Sequence, residues 1–349
     1  MYSFDQPATF SGESSENMRA YTESMRTLPI TEAEPLNLGN MNEVMLVTFR
    51  DSTKGVYKPK SGEDADLRAM IPVGTYYLRE RAAYEVDKFF GLSLVPPTVI
   101  REEGVSSGIG SIQKFEEGQM YDDVLEDFKN KAPGIDDARW ELFEASNNLA
   151  TAVAQYDALE IKKKKGAVVD DSELKTVSEK IDVLRDAMAA RQRDLLGIEE
   201  AAEKLFEDKY RAGFMKLWLF DLVIHNTDRH INNFLLRDDG QVVAIDNGLC
   251  FNGTEFKIFR NFFGEKIPQE IAQPLLDLAK RPDWPEELKK ILNGLLSEKE
   301  IANCISRIQK ILEFLNTDGI IPLPEKIGKY SILSSDIKYF ECYQTEEYT

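Results

Sequence analysis

Residues 225–248 read HNTDRHINNFLLRDDGQVVAIDNG and concentrate polar side chains between apolar runs. Asp228 and Asn233 lie five residues apart, and Asp246 follows Asn233 by thirteen residues, at the end of the apolar run Val242 to Ile245. The polar turn inside this stretch predicts a short hairpin. Such a hairpin would bring Asn233 and Asp246 onto adjacent strands.

The residue types in this stretch match the needs of phosphoryl transfer. One carboxylate can orient or deprotonate an attacking hydroxyl, while an amide oxygen and a second carboxylate can hold Mg²⁺ on phosphates. The order D-x4-N and then D-x-G is that of kinase catalytic loops. We therefore predict Asp228 as a catalytic residue and Asn233 with Asp246 as metal ligands. A tight turn explains Asp246-Asn247-Gly248 equally well on its own, so the assignment depends on features elsewhere.

An upstream lysine provides the first such feature. Lys58 ends a predicted strand and can reach nucleotide phosphates, and Glu80 on the next predicted helix is its natural carboxylate partner. Glu85 on the same helix is the alternative partner. A surface lysine and an exposed helix carboxylate are the structural alternatives for these residues.

The two histidines of the chain, His225 and His230, flank Asp228. His230 can serve as a proton relay or contact a phosphate, or it can fasten the catalytic loop structurally. For His225 the structural interpretation is favoured.

The segment before this region is rich in predicted strands. Residues 1–30 are expected to form a flexible N-terminal arm. Predicted strands cover residues 45–49, 55–58, 95–100 and 110–115. Residues 76–90 form a predicted helix with a broad apolar stripe that Gly91 ends. The turn at residues 39–42 could cover phosphates or be an ordinary hairpin.

Residues 136–210 have a different composition, rich in Ala, Glu, Lys and Leu. Apolar residues at helical spacing on both sides of a break near Gly166 predict an antiparallel hairpin of two long helices, paired as in a coiled coil. The run Lys162 to Lys165 reads as a solvated tip or as a docking patch for an acidic partner. A very apolar helix is predicted at residues 214–224.

Composition limits the partners of the chain. The formal net charge of −18 makes nucleic acid an unexpected partner, because nucleic-acid binding depends on Lys and Arg neutralising phosphates. Three widely separated cysteines form no CxxC pair, which fits a reducing compartment. Residues 1–30 lack a signal-peptide pattern, and no apolar stretch is long enough to span a bilayer. We therefore expect a cytoplasmic protein without stable membrane insertion.

Several separated blocks together resemble the phosphatidylinositol 3-/4-kinase superfamily, in particular its type II phosphatidylinositol 4-kinase-like branch and bacterial HipA-like kinase relatives. These blocks are GVYKPK (55–60), LRERAAYEVDKFFGLSLVPPT (78–98), GSIQKFEEG (110–118), HNTDRHINNFLL (225–236) and VVAIDNGLCF (242–251). The resemblance implies an α+β, two-lobed, protein-kinase-like fold with a β-rich small lobe, an α-rich large lobe and the inserted helical hairpin. It implies ATP and Mg²⁺ as cofactors.

The resemblance also assigns residue roles. It places Lys58 as the ATP-binding lysine, with Glu80 at the acidic helix position. Adenine contacts would come from the strand and hinge, mostly through backbone atoms, at Gln113, Phe115, Glu116 and Glu117. The implied small lobe covers residues 31–118, and the large lobe covers residues 119–349 with the hairpin inserted at 136–210.

The sequence thus predicts an ATP-dependent kinase that moves the γ-phosphate of Mg-ATP to a hydroxyl of phosphatidylinositol or of protein Ser/Thr. The alternatives are a nucleotide-binding pseudokinase or scaffold, and AMP transfer from ATP. The segment from Phe251 to Ile267 could recognise a lipid headgroup or provide aromatic packing. The hairpin at 136–210 could bind a protein partner.

Overall fold

A computed structural model describes residues 15–36, 42–64, 71–226, 228–251 and 262–322 of the chain. The chain divides into two compact units. The first combines Met1–Tyr121 with Tyr210–Thr349, and the second is Asp122–Lys209.

An antiparallel sheet forms the first part of the larger unit. Its strands are β1 (Ile30–Pro35), β2 (Met45–Phe49), β3 (Lys54–Pro59), β4 (Thr98–Arg101) and β5 (Gly110–Lys114), in the order β1-β2-β3-β5-β4. Side chains alternate between the two faces of a strand. On β3, Tyr57 is buried in an apolar cluster with Phe49 and Ile112, so its neighbour Lys58 points to the opposite face. The sheet therefore presents the Lys58 amine on the face away from this core.

Helix α2 (Tyr76–Phe90) has the bounds that the sequence pattern predicts. It ends because Gly91 adopts a left-handed conformation with φ 69°, and the Gly91 N–H bonds the Asp87 carbonyl at 2.8 Å. Glu80 and Asp87 are buried although both are acidic. Buried carboxylates need partners, and both have them.

Helix α1 (Ser15–Thr27) lies within the predicted flexible arm, which therefore contains regular structure. Met18, Tyr21 and Met25 recur at helical spacing, a pattern that was missed among the polar residues. Met25 packs in the apolar core of the sheet, and the Tyr21 hydroxyl donates to the Lys54 carbonyl at 2.6 Å. Met18 packs instead against Val243, further along the chain.

The unit Asp122–Lys209 is helical. It contains most of α3 (Tyr121–Asn130), all of α4 (Ile135–Lys164) and the first part of α5 (Asp171–Ile224). The predicted antiparallel hairpin is confirmed, with Gly166 at φ 82° in the turn. Its core is apolar, and the buried members are Ala152, Leu159, Leu174, Val177 and Ile181. Helix α5 continues to Ile224, so residues 214–224 are its end and not a separate helix.

The remaining described elements follow α5. Strands β6 (Phe234–Leu236) and β7 (Val242–Ala244) form the predicted antiparallel hairpin. The described part of the unit ends with helices α6 (Gln269–Ala279), α7 (Trp284–Leu292) and α8 (Glu298–Thr317). The α+β class is confirmed: an antiparallel sheet is joined to a helical body. Within the described ranges, no helix is both long and apolar enough to cross a membrane.

Candidate active site

Lys58, Glu80 and Asp246 form a charged cluster from three separate parts of the chain. The Lys58 Nζ donates to Glu80 Oε1 and, at 2.8 Å, to Asp246 Oδ1. The Lys58 and Glu80 side chains are 20% and 3% exposed, whereas that of Asp246 is 41% exposed. Glu80 therefore serves as an internal anchor for the amine, and Asp246 is open to a ligand.

The charges of this cluster reinforce one another. Burial disfavours the Lys58 ammonium, but the Asp246 and Glu80 carboxylates outweigh burial and raise the Lys58 pKa above its ordinary value. Burial raises the pKa of Glu80, and Lys58 opposes that shift. Burial alone would also raise the pKa of Asp246, but the positive charges of Lys58, Arg229 and His230 outweigh burial and lower this pKa. The Asp246 carboxylate is therefore ionised at neutral pH.

The backbone around Asp246 is held in an uncommon conformation. Asp246 has φ 55°, in the left-handed region where Asp is one of the few tolerated residues. The next N–H, of Asn247, donates to the second Glu80 oxygen at 3.0 Å. Glu80 thus holds both the Lys58 amine and the backbone beside Asp246.

A second contact joins α2 to the same segment. Arg79 is buried and donates to the Cys250 carbonyl at 2.6 Å. It also pairs with Glu300 in the first turn of α8. Glu300 forms a capping box with Ser297, so its position is fixed by the start of α8. These contacts restrict movement of α2, and with it the position of Glu80.

The segment from Asp228 to Asn233 is a loop folded by its own backbone. The Asn233 N–H bonds the His230 carbonyl at 2.9 Å, and the Asn233 side-chain amide donates to the Asp228 carbonyl at 2.8 Å. The Ile245 N–H donates to the Asn233 carbonyl at 3.2 Å. This bond places Asn233 opposite Ile245, so Asn233 and Asp246 lie just beyond the paired ends of β6 and β7.

Asp228 and His230 lie close together near the molecular surface. Their side chains are 22% and 41% exposed, and His230 Nε2 lies 3.9 Å from Asp228 Oδ2. The Asp228 N–H bonds the Asn226 side-chain oxygen at 2.9 Å. The loop is thus organised around Asp228, with its carboxylate and the imidazole both reachable from solvent.

Arg229 is a central residue of the site that the sequence analysis missed. Its side chain is fully buried and pairs with Asp221 of α5 at 3.0 Å. It donates to the Asn233 carbonyl, to the Ile245 carbonyl at 2.9 Å and to Asn247 Oδ1 at 2.7 Å. One guanidinium therefore connects the loop, the end of β7 and α5. The available signal was Asp221, an acid inside a very apolar helix, which needs a buried cation as partner.

Two of the predicted hinge side chains have internal partners. The Gln113 side chain donates to Thr98 Oγ1 at 3.1 Å. Glu116 is buried between Lys114 at 2.8 Å and Arg237 at 3.2 Å.

The backbone of the predicted hinge continues toward β6. The Phe115 N–H bonds the Lys54 carbonyl at 3.1 Å, whereas Glu117 is exposed. Gln119 exchanges two backbone hydrogen bonds with Leu236, at 2.8 and 2.9 Å. The segment therefore runs from β5 to a backbone pairing with β6. Because the Phe115 N–H is occupied, an adenine contact at this residue would have to use its carbonyl.

The oxygen atoms near Asp246 suit a hard cation. Among the described residues, no group of three or more His, Cys, Asp or Glu could hold a metal ion. The predicted pair consists of the ionised Asp246 carboxylate and the Asn233 amide oxygen, whose orientation the bond from its own NH₂ to Asp228 fixes. Mg²⁺ takes one or two protein oxygens and completes its shell with water and substrate phosphates. The residues present therefore fit Mg²⁺ brought by a nucleotide.

Some predicted features lie partly or wholly outside the described residues. The turn at 39–42 is described only at Asn42, and residues 252–261 of the segment between Phe251 and Ile267 fall outside. Within that segment, the rings of Phe262 and Phe263 pack on Trp218, with centroids 5.8 and 5.1 Å away. The described part of the segment thus favours aromatic packing.

Comparison with known proteins finds a family model and a relative that match large parts of the chain. Residues 119–292 match the family model described as phosphatidylinositol 3- and 4-kinase. Protein Rv2133c of Mycobacterium tuberculosis is 27% identical over 296 residues, which cover 81% of this chain and 87% of that protein. The predicted resemblance to the phosphatidylinositol 3-/4-kinase superfamily is confirmed, and the fold is kinase-like.

Similar solved structures include those of the Golgi casein kinase and of CtTel1. A crystal structure of the Golgi casein kinase with Mn/ADP bound has 13% identity and a TM-score of 0.41, and covers 96% of this chain and 78% of that one. The open conformation of CtTel1 has 14% identity and a TM-score of 0.31, and covers 84% of this chain and 11% of that one.

Proposed function

We propose that this kinase-like chain, whose residues 119–292 match the phosphatidylinositol 3- and 4-kinase family, transfers the γ-phosphate of Mg-ATP to a hydroxyl acceptor. The observation that carries the proposal is the convergence of Lys58 with Glu80 and Asp246, over a separation of 188 residues between Lys58 and Asp246. A purely structural ion pair would not need a carboxylate as exposed as Asp246. A nucleotide needs a reachable cation for its phosphates and a reachable carboxylate for its metal ion, and Lys58 and Asp246 supply these two groups.

Lys58 is proposed to bind the phosphates. Its ammonium has three N–H donors, of which Glu80 and Asp246 occupy two. The third can bind a phosphate oxygen while Glu80 keeps the amine in place. Since the Lys58 pKa is raised by its carboxylate neighbours, the amine stays charged across the neutral range.

Asp246 and Asn233 are proposed to hold the metal that accompanies ATP. When bound, Mg²⁺ neutralises the negative charge on the phosphates. Asp246 contributes a full negative charge because its pKa is lowered, and Asn233 contributes a neutral oxygen. The hydrogen bond from Ile245 to the Asn233 backbone keeps the two ligands in register.

Asp228 is proposed to accept or orient the proton of the acceptor hydroxyl. Its partial exposure gives an acceptor access, and its backbone is fixed through Asn226. His230, 3.9 Å away, can take the proton onward or contact a phosphate. Catalysis would be mainly positioning and charge stabilisation, because phosphoryl transfer asks for little covalent chemistry from the protein.

The acceptor is proposed to be a protein Ser/Thr or small-molecule hydroxyl in preference to phosphatidylinositol. The net charge of −18 opposes approach to an anionic membrane surface, and the aromatic residues after Phe251 that are described pack internally.

The test is a transfer assay with γ-labelled ATP, Mg²⁺ and the purified chain. Separate tubes would contain phosphatidylinositol vesicles, a protein mixture and no acceptor. We expect labelled protein or small molecule, and we expect Asp246→Asn and Lys58→Met to lose more than about 99% of the wild-type rate. Asp238→Asn, in the exposed turn between β6 and β7, is the matched control and should keep full activity.

Two outcomes would contradict the proposal. Full activity of Asp246→Asn would show that Asp246 is not a required metal ligand. ATP binding without label transfer or ADP release in any tube would instead support a nucleotide-binding scaffold. Label in lipid alone would retain the kinase and reverse the acceptor preference.

A further inference from the structure

Exposed apolar side chains are concentrated in the helical unit Asp122–Lys209. Among the described residues, eight large apolar side chains are strongly exposed, and seven lie in this unit. The seven are Trp140, Phe143, Ile161, Val168, Val183, Leu196 and Leu205. Large exposed apolar groups that cluster in one part of a protein mark interaction surfaces.

The outer face of α4 carries the two aromatic members of this set. Trp140 is 60% exposed and Phe143 is 55% exposed, and their ring centroids lie 5.6 Å apart. The two residues are three positions apart, so they lie on the same face of the helix. They form an aromatic patch at the N-terminal end of α4.

Acidic residues surround this patch. Asp136, Asp137 and Glu144 are exposed and lie three or four positions from Trp140, so they share its face. A partner surface for this end of α4 should therefore be apolar at its centre and basic at its edge.

The other end of α4 has that chemistry. Ile161 is 51% exposed and lies 18 residues after Phe143. Eighteen residues make about five turns of an α-helix, so the two side chains point to the same side. Lys162 likewise lies 18 residues after Glu144 and on the same side of the helix. It begins the run of four lysines at 162–165.

The middle of the same face carries mostly small side chains. Between the two ends most of its exposed residues are small or short, namely Asn147, Ala150, Thr151, Ala154 and Ala158, and Gln155 lies at the edge of the face. Small side chains allow two helices to approach closely, because the helix separation depends on the side chains at the contact.

We propose that the outer face of α4 binds the same face of a second copy of this chain, with the two helices antiparallel. In a two-fold arrangement the same patch is used twice, and residue i of one copy meets residue j of the other. Phe143 then packs against Ile161 of the second copy, while Glu144 meets Lys162. The acidic aromatic end and the basic aliphatic end of one helix complement each other only in this orientation.

The apolar contacts supply the affinity of this dimer, and the charges set its orientation. Exposed ion pairs contribute little each, typically about 0–1 kcal/mol. The long-range repulsion between two chains of net charge −18 is screened beyond about 8 Å at physiological ionic strength. Burial of Trp140 and Phe143 can therefore outweigh it at close range.

The test is sedimentation of the full chain over a wide range of concentration. We expect a concentration-dependent rise from the monomer mass of 39.7 kDa to twice that value. Glu144→Lys and Lys162→Glu should each weaken the dimer by about tenfold or more, since each reversal acts twice in a two-fold contact. The double variant with both substitutions should restore it. Lys180→Glu, an equal charge reversal at an exposed position of α5, is the matched control and should leave the dimer unchanged.

Trp140 offers an independent readout. The other tryptophans, Trp218 and Trp284, are 3% and 5% exposed, so a blue shift of fluorescence on dimerisation would report Trp140. The shift should be absent in Trp140→Phe.

A single 39.7 kDa species at every concentration would overturn the proposal. So would a wild-type dimer that the double charge swap fails to restore, because that result would place the contact on another face. If the chain stays monomeric and binds a different protein through this face, the surface belongs to that protein and the dimer proposal is overturned. None of these measurements uses phosphotransfer, so they remain informative if the proposed activity fails.

Discussion

Replacement of Arg229 by Met would test whether one buried guanidinium holds the candidate site together. The side chain is 0% exposed, and its partner Asp221 is 4% exposed. Removal of one member of a buried ion pair costs about 3–5 kcal/mol, because the other charge is left uncompensated. Three further acceptors, two backbone carbonyls and Asn247 Oδ1, also lose their donor. We therefore expect the free energy of unfolding to fall by at least about 4 kcal/mol.

The pH dependence of this loss identifies its cause. Burial raises the pKa of Asp221, and the Arg229 guanidinium opposes that shift. Without Arg229 the pKa rises further, so the folded state favours the protonated carboxyl. A raised acid pKa contributes stability at low pH that is lost as the pH rises. The deficit of Arg229→Met should therefore be smaller at pH 5 than at pH 8.

The assay is urea unfolding followed by far-UV circular dichroism at both pH values. The double variant Arg229→Met/Asp221→Leu removes the orphaned carboxylate and should recover the part of the deficit that depends on pH. Arg185→Met, at an exposed arginine of α5, should change stability by less than about 0.5 kcal/mol. A loss below about 1 kcal/mol for Arg229→Met, or one that is equal at pH 5 and pH 8, would refute the reasoning.

Three further substitutions test a buried carboxyl and two added methyl groups. Burial raises the pKa of Asp87 to about 7, so between its unfolded value and pH 7 the folded carboxyl keeps a proton that the unfolded chain has lost. Wild-type stability should fall relative to Asp87→Asn by up to about 1.4 kcal/mol per pH unit from pH 5 to 7, measured by urea unfolding; parallel curves would contradict this. Gly110→Ala would bring a methyl group against the Lys58 carbonyl and to 2.8 Å from the Pro59 Cα, so we expect a loss of about 2 kcal/mol in thermal unfolding and reduced activity. The methyl group added by Gly197→Ala, in the middle of α5, would have no neighbouring atom within 4 Å. We expect this substitution to raise the free energy of unfolding by about 0.5–1 kcal/mol. Equal effects of the two alanine substitutions would contradict the argument that contact with the backbone causes the loss at Gly110.

The sequence was informative where one short pattern determines both local structure and chemistry. The bounds of α2 followed from its apolar stripe and Gly91. The hairpin after Asn233 was readable because polar turn residues separate two apolar runs, and that hairpin brings Asn233 beside the strand of Asp246. The helix after the strand of Lys58 offered Glu80 as its partner and Glu85 as the alternative, and the structure pairs Lys58 with Glu80.

The parts that were missed depend on contacts between distant residues. Arg229 was not singled out within its polar loop, and its pairing with Asp221 explains why it is buried. The side-chain partners of Gln113 and Glu116 were also not foreseen, and the predicted adenine contacts of this segment stay a prediction. Helix α1 was missed because a few apolar side chains in a polar segment form a helix only when a core receives them.

Helix α1 also changes how the two halves of the larger unit can move. One chain crossing between them lies at residues 115–119, as in any hinge. The methionines of α1 make a second bridge, with Met25 in the sheet core and Met18 on β7. These contacts add to those that α2 makes with the Asn247 N–H, the Cys250 carbonyl and Glu300, so α1 further restricts motion between the sheet and the rest of the unit. If the chain binds a nucleotide as proposed, the methionine contacts of α1 limit how far the sheet can move away from β7.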